Sequence, residues 1–314
     1  MRTVVVVSSS EMAKEIFKTH DQNFAGRTLI EAAKVLSHQE SSIAFAQYGD
    51  YWRKLRRIAT TELFTPSRLQ ALQYLRRDQV YETIRTIFEE RGKKSVDLRN
   101  SFGELVKLSG KLNLADFYPF LRFLDPQGVS RDLAVHHKRL HKYFDAFIQD
   151  RLAARRQDVG LPKEKDFLDI LLDSTAHDFT LQNIRVLIME LLSGGSDTIT
   201  TTVEWAMVEF IVNPRVMKQA QKELEELIGL NRKVEESDID HLPYLHAVVK
   251  EVFRLHPPFP LALPHRADNS CEVAGYMIPK HSMVIVNVWA IGRDPKIWKE
   301  PLKFMSTIPF GTAS

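Results

Sequence analysis

The stretch from Leu181 to Val212 predicts one long uninterrupted helix, and it limits the possible folds more than any other segment. Thr180 stands just before it, where a hydroxyl side chain is a favoured N-cap. Inside the helix, Gly194 and Gly195 are adjacent, although each glycine costs about 1 kcal/mol relative to alanine. A helix that keeps both needs its backbone to be approached closely or distorted there.

Asp197 and Thr198 follow this glycine pair within one helical turn. An acid beside an alcohol, next to bare backbone, suits the relay of protons to a group that lies against the helix. The alternative is purely structural: a second helix crosses on Gly194 and Gly195, and Asp197 acts as a capping residue. The sequence leaves both interpretations open.

Most of the remaining chain also predicts helices, which are Ser10–His20, Tyr51–Glu62, Leu69–Arg91, Val135–Gln157, Asp166–Asp173, Pro214–Ile228 and Tyr244–His256. The N-terminal valine run predicts a buried strand. Beyond Pro258, the segments CEVAGYMIP and SMVIVNVWA predict the two strands of a hairpin. We therefore expect a mainly α protein with a small β portion, of the α+β kind, in a single domain spanning residues 1–314.

The composition of the chain argues against nucleic-acid binding, a membrane span and an internal disulfide. The net charge of +3 is too small to indicate nucleic-acid binding, and 44% hydrophobic with 26% charged residues is typical of a globular protein. No apolar run reaches the roughly 18 residues that a membrane span requires. Cys271 is the one cysteine, so no internal disulfide can form, and a reducing compartment fits.

Glu251 and Arg254 are three residues apart and share one face of the Tyr244–His256 helix. Val252, Phe253 and other apolar residues surround them, which favours a buried ion pair whose hydrogen bonds must be satisfied. An exposed pair of small energetic value is the alternative.

Trp52 and Arg56 are four residues apart, so an indole N–H and a guanidinium on one face can hold an anionic group such as a carboxylate. His265, after an apolar stretch, can donate to an anion as well. A solvated basic helix and a structural histidine are the alternatives.

Four motifs together indicate a protein family far more specifically than any one of them alone. They are GGSDT (194–198), KEVFR (250–254), the W-x-x-x-R of Trp52 and Arg56, and His265. The chain resembles the plant microsomal cytochrome P-450 family of heme-thiolate monooxygenases, and in particular its hydroxylases of phenolic rings, flavonoids, terpenes and alkaloids. The resemblance runs through nearly the whole sequence. It implies a heme b cofactor and an incomplete form of that family's fold.

The resemblance also implies roles for individual residues. Gly194 and Gly195 lie against the heme, and Asp197 and Thr198 supply protons for oxygen activation. The propionates are held by Trp52, Arg56 and His265, the proximal fold is stabilised by Glu251 and Arg254, and the substrate pocket includes Leu191, Gly194, Phe259 and Leu263.

The implied partners are a small apolar or phenolic metabolite and an NADPH-cytochrome reductase, which supplies electrons. Arg53, Lys54 and Arg57 are candidates for steering the acidic surface of this flavoprotein. The implied location is the cytosolic face of the endoplasmic reticulum membrane. Because the chain starts at the family's first strand, with no anchor, we expect it to be cytosolic or unstable.

Three further departures bear on activity. Apparent internal deletions fall near residues 100–104 and 304–308, and Pro309-Phe310-Gly311, which should open the heme-cysteine loop, is followed by Thr-Ala-Ser. Cys271 does not match the position of the axial ligand, whose thiolate tunes the iron. Three hypotheses follow: a monooxygenase, a truncated non-catalytic product such as a splice variant or gene-model artefact, or a helical scaffold unrelated to heme.

Overall fold

The computed structural model describes residues 3–35, 41–89, 96–157, 165–173 and 180–305. Its helices are α1 (Ser10–Lys14), α2 (Glu31–Val35), α3 (Asp50–Ile58), α4 (Pro66–Ala71), α5 (Gln73–Glu89), α6 (Val96–Ser109), α7 (Leu114–Phe117), α8 (Val129–Gln157), α9 (Phe167–Asp173), α10 (Leu181–Val212), α11 (Pro214–Leu227), α12 (Pro243–Leu255) and α13 (Val288–Ile291). Short 3₁₀ helices cover Pro119–Phe123 and Glu236–His241. The strands are β1 (Val4–Val7), β2 (Gly26–Arg27), β3 (His265–Arg266), β4 (Cys271–Val273), β5 (Tyr276–Ile278) and β6 (Met283–Val286). The expected mainly α architecture with a small β portion is confirmed.

The long helix α10 begins and ends where its local sequence requires. The Thr180 hydroxyl accepts from the backbone N–H of Asn183 at 3.2 Å, and the Asn183 side-chain oxygen accepts from the Thr180 N–H at 2.8 Å. This reciprocal capping box satisfies two donors that a helix start leaves free. At the other end, Pro214 occupies the first position of α11, so the two helices are separate. The predicted bounds of α10 are confirmed.

Other helices differ from expectation at their ends. Pi-helical turns at Glu15–Thr19 and Ala59–Leu63 complete the segments that begin as α1 and α3. The N-cap of α4 is Thr65, whose hydroxyl accepts from the Arg68 N–H, and Pro66 opens the helix. The short helices α2, α7 and α13 and the 14-residue helix α6 were not predicted.

The four-stranded sheet has the order β1-β6-β3-β2. β1 pairs in parallel with β6, so the predicted N-terminal strand is confirmed, but its expected burial holds only at Val7, since Val6 is 57% exposed. β3 pairs antiparallel with both β6 and β2. The predicted hairpin between CEVAGYMIP and SMVIVNVWA is wrong. CEVAGYMIP instead folds on itself as β4 and β5, because Ala274 and Gly275 have φ angles of 48° and 82°. Two positive φ values at the centre of a two-residue loop match the twist of a hairpin.

The packing of α10 changes along its length. Its first half lies in a core with α3, α8 and α9, where Ile184 and Leu187 are both 0% exposed. In the second half, Ile199 is 64% exposed and Ile211 is 69% exposed. The glycine pair lies where the buried half gives way to the exposed half. None of the described helices is both long enough and apolar enough to cross a bilayer.

Candidate functional site

The glycine pair of α10 lies on an open face. A Cβ atom added at Gly194 or Gly195 would meet no atom within 4 Å among the described residues. The alternative of a second helix crossing on these glycines therefore does not hold for the part of the chain that the structure describes. The face is free to receive a group from outside the described chain.

Asp197 and Thr198 lie at this open face. Asp197 is exposed and Thr198 is half-buried. The Thr198 hydroxyl donates to the carbonyl of Gly194 at 2.6 Å, one turn back along the helix. Since the hydroxyl proton is committed to this carbonyl, the oxygen keeps its acceptor capacity for a donor at the open face.

Trp52 lies on α3 and holds a backbone segment. Its Nε1–H donates to the carbonyl of Ile43 at 3.0 Å. Arg56 follows one turn later on the same face of the helix and is exposed. The two residues are one turn apart on α3, but the indole donor is bonded to the protein backbone in place of the anion that was predicted for it.

Glu190, one turn before Gly194, is a residue that the sequence analysis missed. Its carboxylate accepts from the Ser42 hydroxyl, and from the N–H groups of Ile43 at 2.9 Å and Ala44 at 3.4 Å. Burial raises the pKa of Glu190, against the effect of these three donors. Its signal in the sequence was a single acid inside the apolar run VLIMELL, since such an acid needs donors when buried.

His265 lies on β3 and bonds to two residues of the N-terminal region. Its Nε2 accepts from Arg27 Nη1 at 2.8 Å, so its Nδ1 carries the proton and donates to the Phe24 carbonyl at 2.6 Å. Burial, and then the charge of Arg27, lower the pKa of His265. The histidine is therefore a neutral acceptor for Arg27.

Arg27 is the second residue that the sequence analysis missed. Burial lowers its pKa, and it forms no ion pair with any carboxylate of the described chain. Arg27 is half-buried, and a partly desolvated cation whose side chain is bonded to a neutral imidazole is costly. It is therefore the strongest candidate for an anion contact near His265. Nothing in the local sequence distinguishes it from other surface arginines.

One segment joins these residues. The Gln47 side chain donates to the Arg27 carbonyl at 3.0 Å and accepts from the Arg27 N–H at 3.3 Å. Residues 41–47 therefore connect Arg27 and His265, at one end, to Trp52 and Glu190 at the other. Hydrogen bonds thus run from β3 to α10, the helix that carries the glycine pair.

Glu251 and Arg254 form a buried ion pair, as predicted, with side chains 0% and 3% exposed. Arg254 Nε and Nη2 donate to the two oxygens of Glu251, each at 2.7 Å. The remaining donors reach the carbonyls of Gly292, Pro301 and Lys303. Glu251 also accepts from the Met305 N–H at 2.7 Å. Backbone groups of 292–305 thus complete the hydrogen bonding of the pair.

A family model described as Cytochrome P450 matches residues 1–107 and 69–307. The chain belongs to the cytochrome P450 family. It is 38% identical over 96% of its length to a flavonoid 3'-monooxygenase of Arabidopsis thaliana, and covers 66% of that protein. It is 36% identical over 96% of its length to ferruginol synthase of Salvia miltiorrhiza, and covers 68% of that protein. The chain thus spans about two thirds of the length of these curated relatives.

A solved structure gives the same fold. A zebra fish cytochrome P450, whose structure was determined with progesterone, matches with a TM-score of 0.73 and 23% identity, covering 97% of this chain and 78% of that one. The family model, rather than this fold likeness, argues against the hypothesis of a helical scaffold unrelated to heme. Nothing in the comparisons favours the non-catalytic product.

The predicted pocket residues of this P450 differ in their surroundings. Leu191 is half-buried against the core of α3, α9 and α10, and Leu263 is half-buried before β3. Phe259 is 53% exposed. The described contacts do not join the three into one pocket.

Cys271 of the P450 lies on β4, and its Sγ accepts from Asn23 Nδ2 at 2.9 Å. It packs at the edge of the core around the four-stranded sheet. No group of three or more metal-ligating side chains occurs in the described part of the chain. The Pro309-Phe310-Gly311 loop lies outside the described residues, so the expected heme-cysteine loop has no structural account.

Proposed function

We propose that this chain is a heme-dependent monooxygenase of plant secondary metabolism that hydroxylates a small apolar or phenolic metabolite. The observation that carries the proposal is the open backbone of Gly194 and Gly195 on α10, beside Asp197 and Thr198. A flat prosthetic group needs this kind of closely approachable surface, and an exposed acid and a half-buried alcohol border it. The names of the relatives support hydroxylation of a small organic substrate.

The fit to heme b rests on the anionic end of that group. Arg27 is a half-buried cation without a carboxylate partner in the described residues, and a propionate would supply the missing negative charge. Arg27 and Arg56 would donate to the propionates, and Trp52 would do so if its indole N–H left the Ile43 carbonyl. His265 would contribute by orienting Arg27, because its Nε2 accepts from that side chain and its Nδ1 proton is bonded to the Phe24 carbonyl. Gly194 and Gly195 would lie against the ring.

Cys271 does not fit the axial ligand, since it lies on β4 with its sulfur bonded to Asn23. We therefore propose that the axial cysteine is missing from this chain. When bound, heme supplies oxygen activation for hydroxylation. The protein would exclude water with the core around Leu191 and pass protons along α10.

In the proton relay, Asp197 would take a proton from solvent at its exposed carboxylate. Thr198 would receive it at Oγ1 and pass its own hydroxyl proton, now directed at the Gly194 carbonyl, to an acceptor bound at the open face. Glu251 and Arg254 would fix the segment 292–305, on which the proximal side is built. Leu191, Phe259 and Leu263 would line the substrate pocket.

The partner would be an NADPH-cytochrome reductase, and the location of the complete enzyme would be the cytosolic face of the endoplasmic reticulum. Arg53 and Arg57 are exposed and Lys54 is half-buried on α3, which suits attraction of an acidic partner. We take residues 1–314 as one incomplete domain, with deletions near 100–104 and 304–308. A truncated form of this kind is the alternative, in which heme is not bound in the normal way and turnover is lost.

The test is a hemin titration of the purified chain followed by Soret absorbance, with Arg27→Gln beside the control Arg57→Gln, which changes an exposed arginine. We expect saturable uptake that R27Q weakens and R57Q leaves unchanged. No uptake would overturn the proposal. A reduced carbon monoxide spectrum then separates the alternatives: a thiolate-type band supports turnover, and uptake without it supports a heme site in a non-catalytic product.

A further inference from the structure

Two histidines lie together on α8, away from α10's glycine pair. His137 and His141 are one helical turn apart, so they share a face, and their ring centroids are 4.0 Å apart. In both rings Nε2 is buried and has no hydrogen-bond partner. His136 also has a buried unpartnered nitrogen, but its orphan atom is Nδ1, and neighbouring residues on a helix face different directions.

Buried ring nitrogens without partners need an explanation. Native structures pair the large majority of buried polar side-chain atoms, and leaving one unpaired costs about 1–3 kcal/mol. Here two such atoms occur one turn apart on the same face. A single bound species that accepts both nitrogens would satisfy them together.

We propose that His137 and His141 form a two-histidine binding site for one divalent transition-metal ion of the zinc and copper class, with Nε2 of each ring as ligand. Imidazole is a preferred ligand of both ions. Since no third ligand side chain converges in the described chain, water would complete the coordination. The rings would separate slightly by side-chain rotation, because each nitrogen must approach the ion to about 2.0–2.1 Å.

The charges around the pair permit a cation. Burial, with a smaller effect of His141, lowers the pKa of His137 to about 4, so the ring is neutral at pH 7. Neutral imidazole is the form that binds metal. Burial, and then the charge of Arg185 on α10, lower the pKa of His141, and Asp145 opposes them. Because Arg185 is ion-paired with Asp145, one turn beyond His141, the repulsion of a bound cation is reduced.

The experiment uses the purified chain, freed of metal, with Zn²⁺ and Cu²⁺ as probes. Zn²⁺ is titrated by calorimetry into the wild type and into His137→Gln and His141→Gln. The controls are His136→Gln, the neighbour outside the pair, and His246→Gln, an exposed histidine on α12. Electron paramagnetic resonance of the wild type at one equivalent of Cu²⁺ counts the nitrogen ligands.

We expect one Zn²⁺ site, weakened about tenfold or more (about 1.4 kcal/mol) by H137Q and by H141Q and unchanged by both controls. Adding Zn²⁺ should raise the unfolding midpoint only in proteins that keep both His137 and His141, when each protein is compared with itself in the absence of Zn²⁺. This difference is independent of any stability lost by substitution. Equal Zn²⁺ binding by H137Q and the wild type, or a Cu²⁺ spectrum without two nitrogen ligands, would overturn the proposal.

Discussion

Replacing Arg254 with alanine should remove much of the stability of the region around α12. All five N–H bonds of its guanidinium are used, at 2.7 Å to each Glu251 oxygen and to the Gly292 carbonyl, and at 2.8 Å to the Pro301 and Lys303 carbonyls. The substitution leaves a carboxylate that is 0% exposed, on which the Met305 N–H is the one donor that remains among the described residues.

The expected loss is about 3–5 kcal/mol, because removing one partner of a buried pair strands the other charge. Total stabilities of folded proteins are about 5–15 kcal/mol, so the Arg254→Ala chain should be close to unfolding. The free energy of unfolding of Arg254→Lys should lie between those of the wild type and Arg254→Ala. Lysine keeps the charge but has three donors in place of five.

Urea unfolding followed by circular dichroism measures the free energy, and Arg85→Ala provides the matched control. Glu82 and Arg85 form the same Glu-x-x-Arg pair on α5 at 2.8 Å, but their side chains are 55% and 62% exposed. The control should lose less than about 1 kcal/mol. Similar losses for R254A and R85A would refute the reasoning that burial makes the pair important.

Three further predictions concern single substitutions, each read by urea unfolding. Gly292→Ala should destabilise by about 1–3 kcal/mol, because its Cβ would lie 2.3 Å from the Arg254 carbonyl oxygen, and unchanged stability would contradict the close approach. Gly195→Ala should stabilise the heme-free chain by about 1 kcal/mol and weaken hemin uptake, since its Cβ meets nothing in the described chain. A loss of stability would reveal a neighbour at that face. The pKa of Glu190 in the folded chain is raised from its ordinary value of 4.5. The protonated form therefore stabilises the fold fully below pH 4.5, and this contribution is lost as the pH rises through the raised pKa. The free energy of unfolding of the wild type minus that of Glu190→Gln should therefore fall as pH rises above 4.5, and a difference that rises with pH would contradict the assignment.

Predictions from the sequence were right where the determining residues are close together in the chain. The capping box of Thr180 and Asn183 lies within a single turn, and Pro214 limits α10 at the other end. The buried pair of Glu251 and Arg254 likewise depends on a spacing of three residues. Such patterns involve residues close together in the chain, so they can be recognised before the fold is known.

The sequence analysis failed where the partners are far apart. Arg27 and His265 are 238 positions apart, and Glu190 is 147 positions from Ile43. No periodicity links residues at such distances, and a single buried acid or arginine has many possible partners. The incorrect hairpin has this cause in part, because β6 pairs with the distant β1 as well as with β3. The hairpin of β4 and β5 is local, and its turn at Ala274 and Gly275 was not recognised in the sequence.

The parallel pairing of β1 with β6 has a consequence for synthesis of the chain. Val4 pairs with Met283, so the valine strand emerges from the ribosome long before its partner exists. At about 5–20 residues per second, that interval lasts roughly 15–55 s. A β-prone run of four valines is exposed throughout, and such runs favour association between chains. Expression at lower temperature or with a chaperone that shields nascent segments should therefore raise the soluble yield more than refolding does.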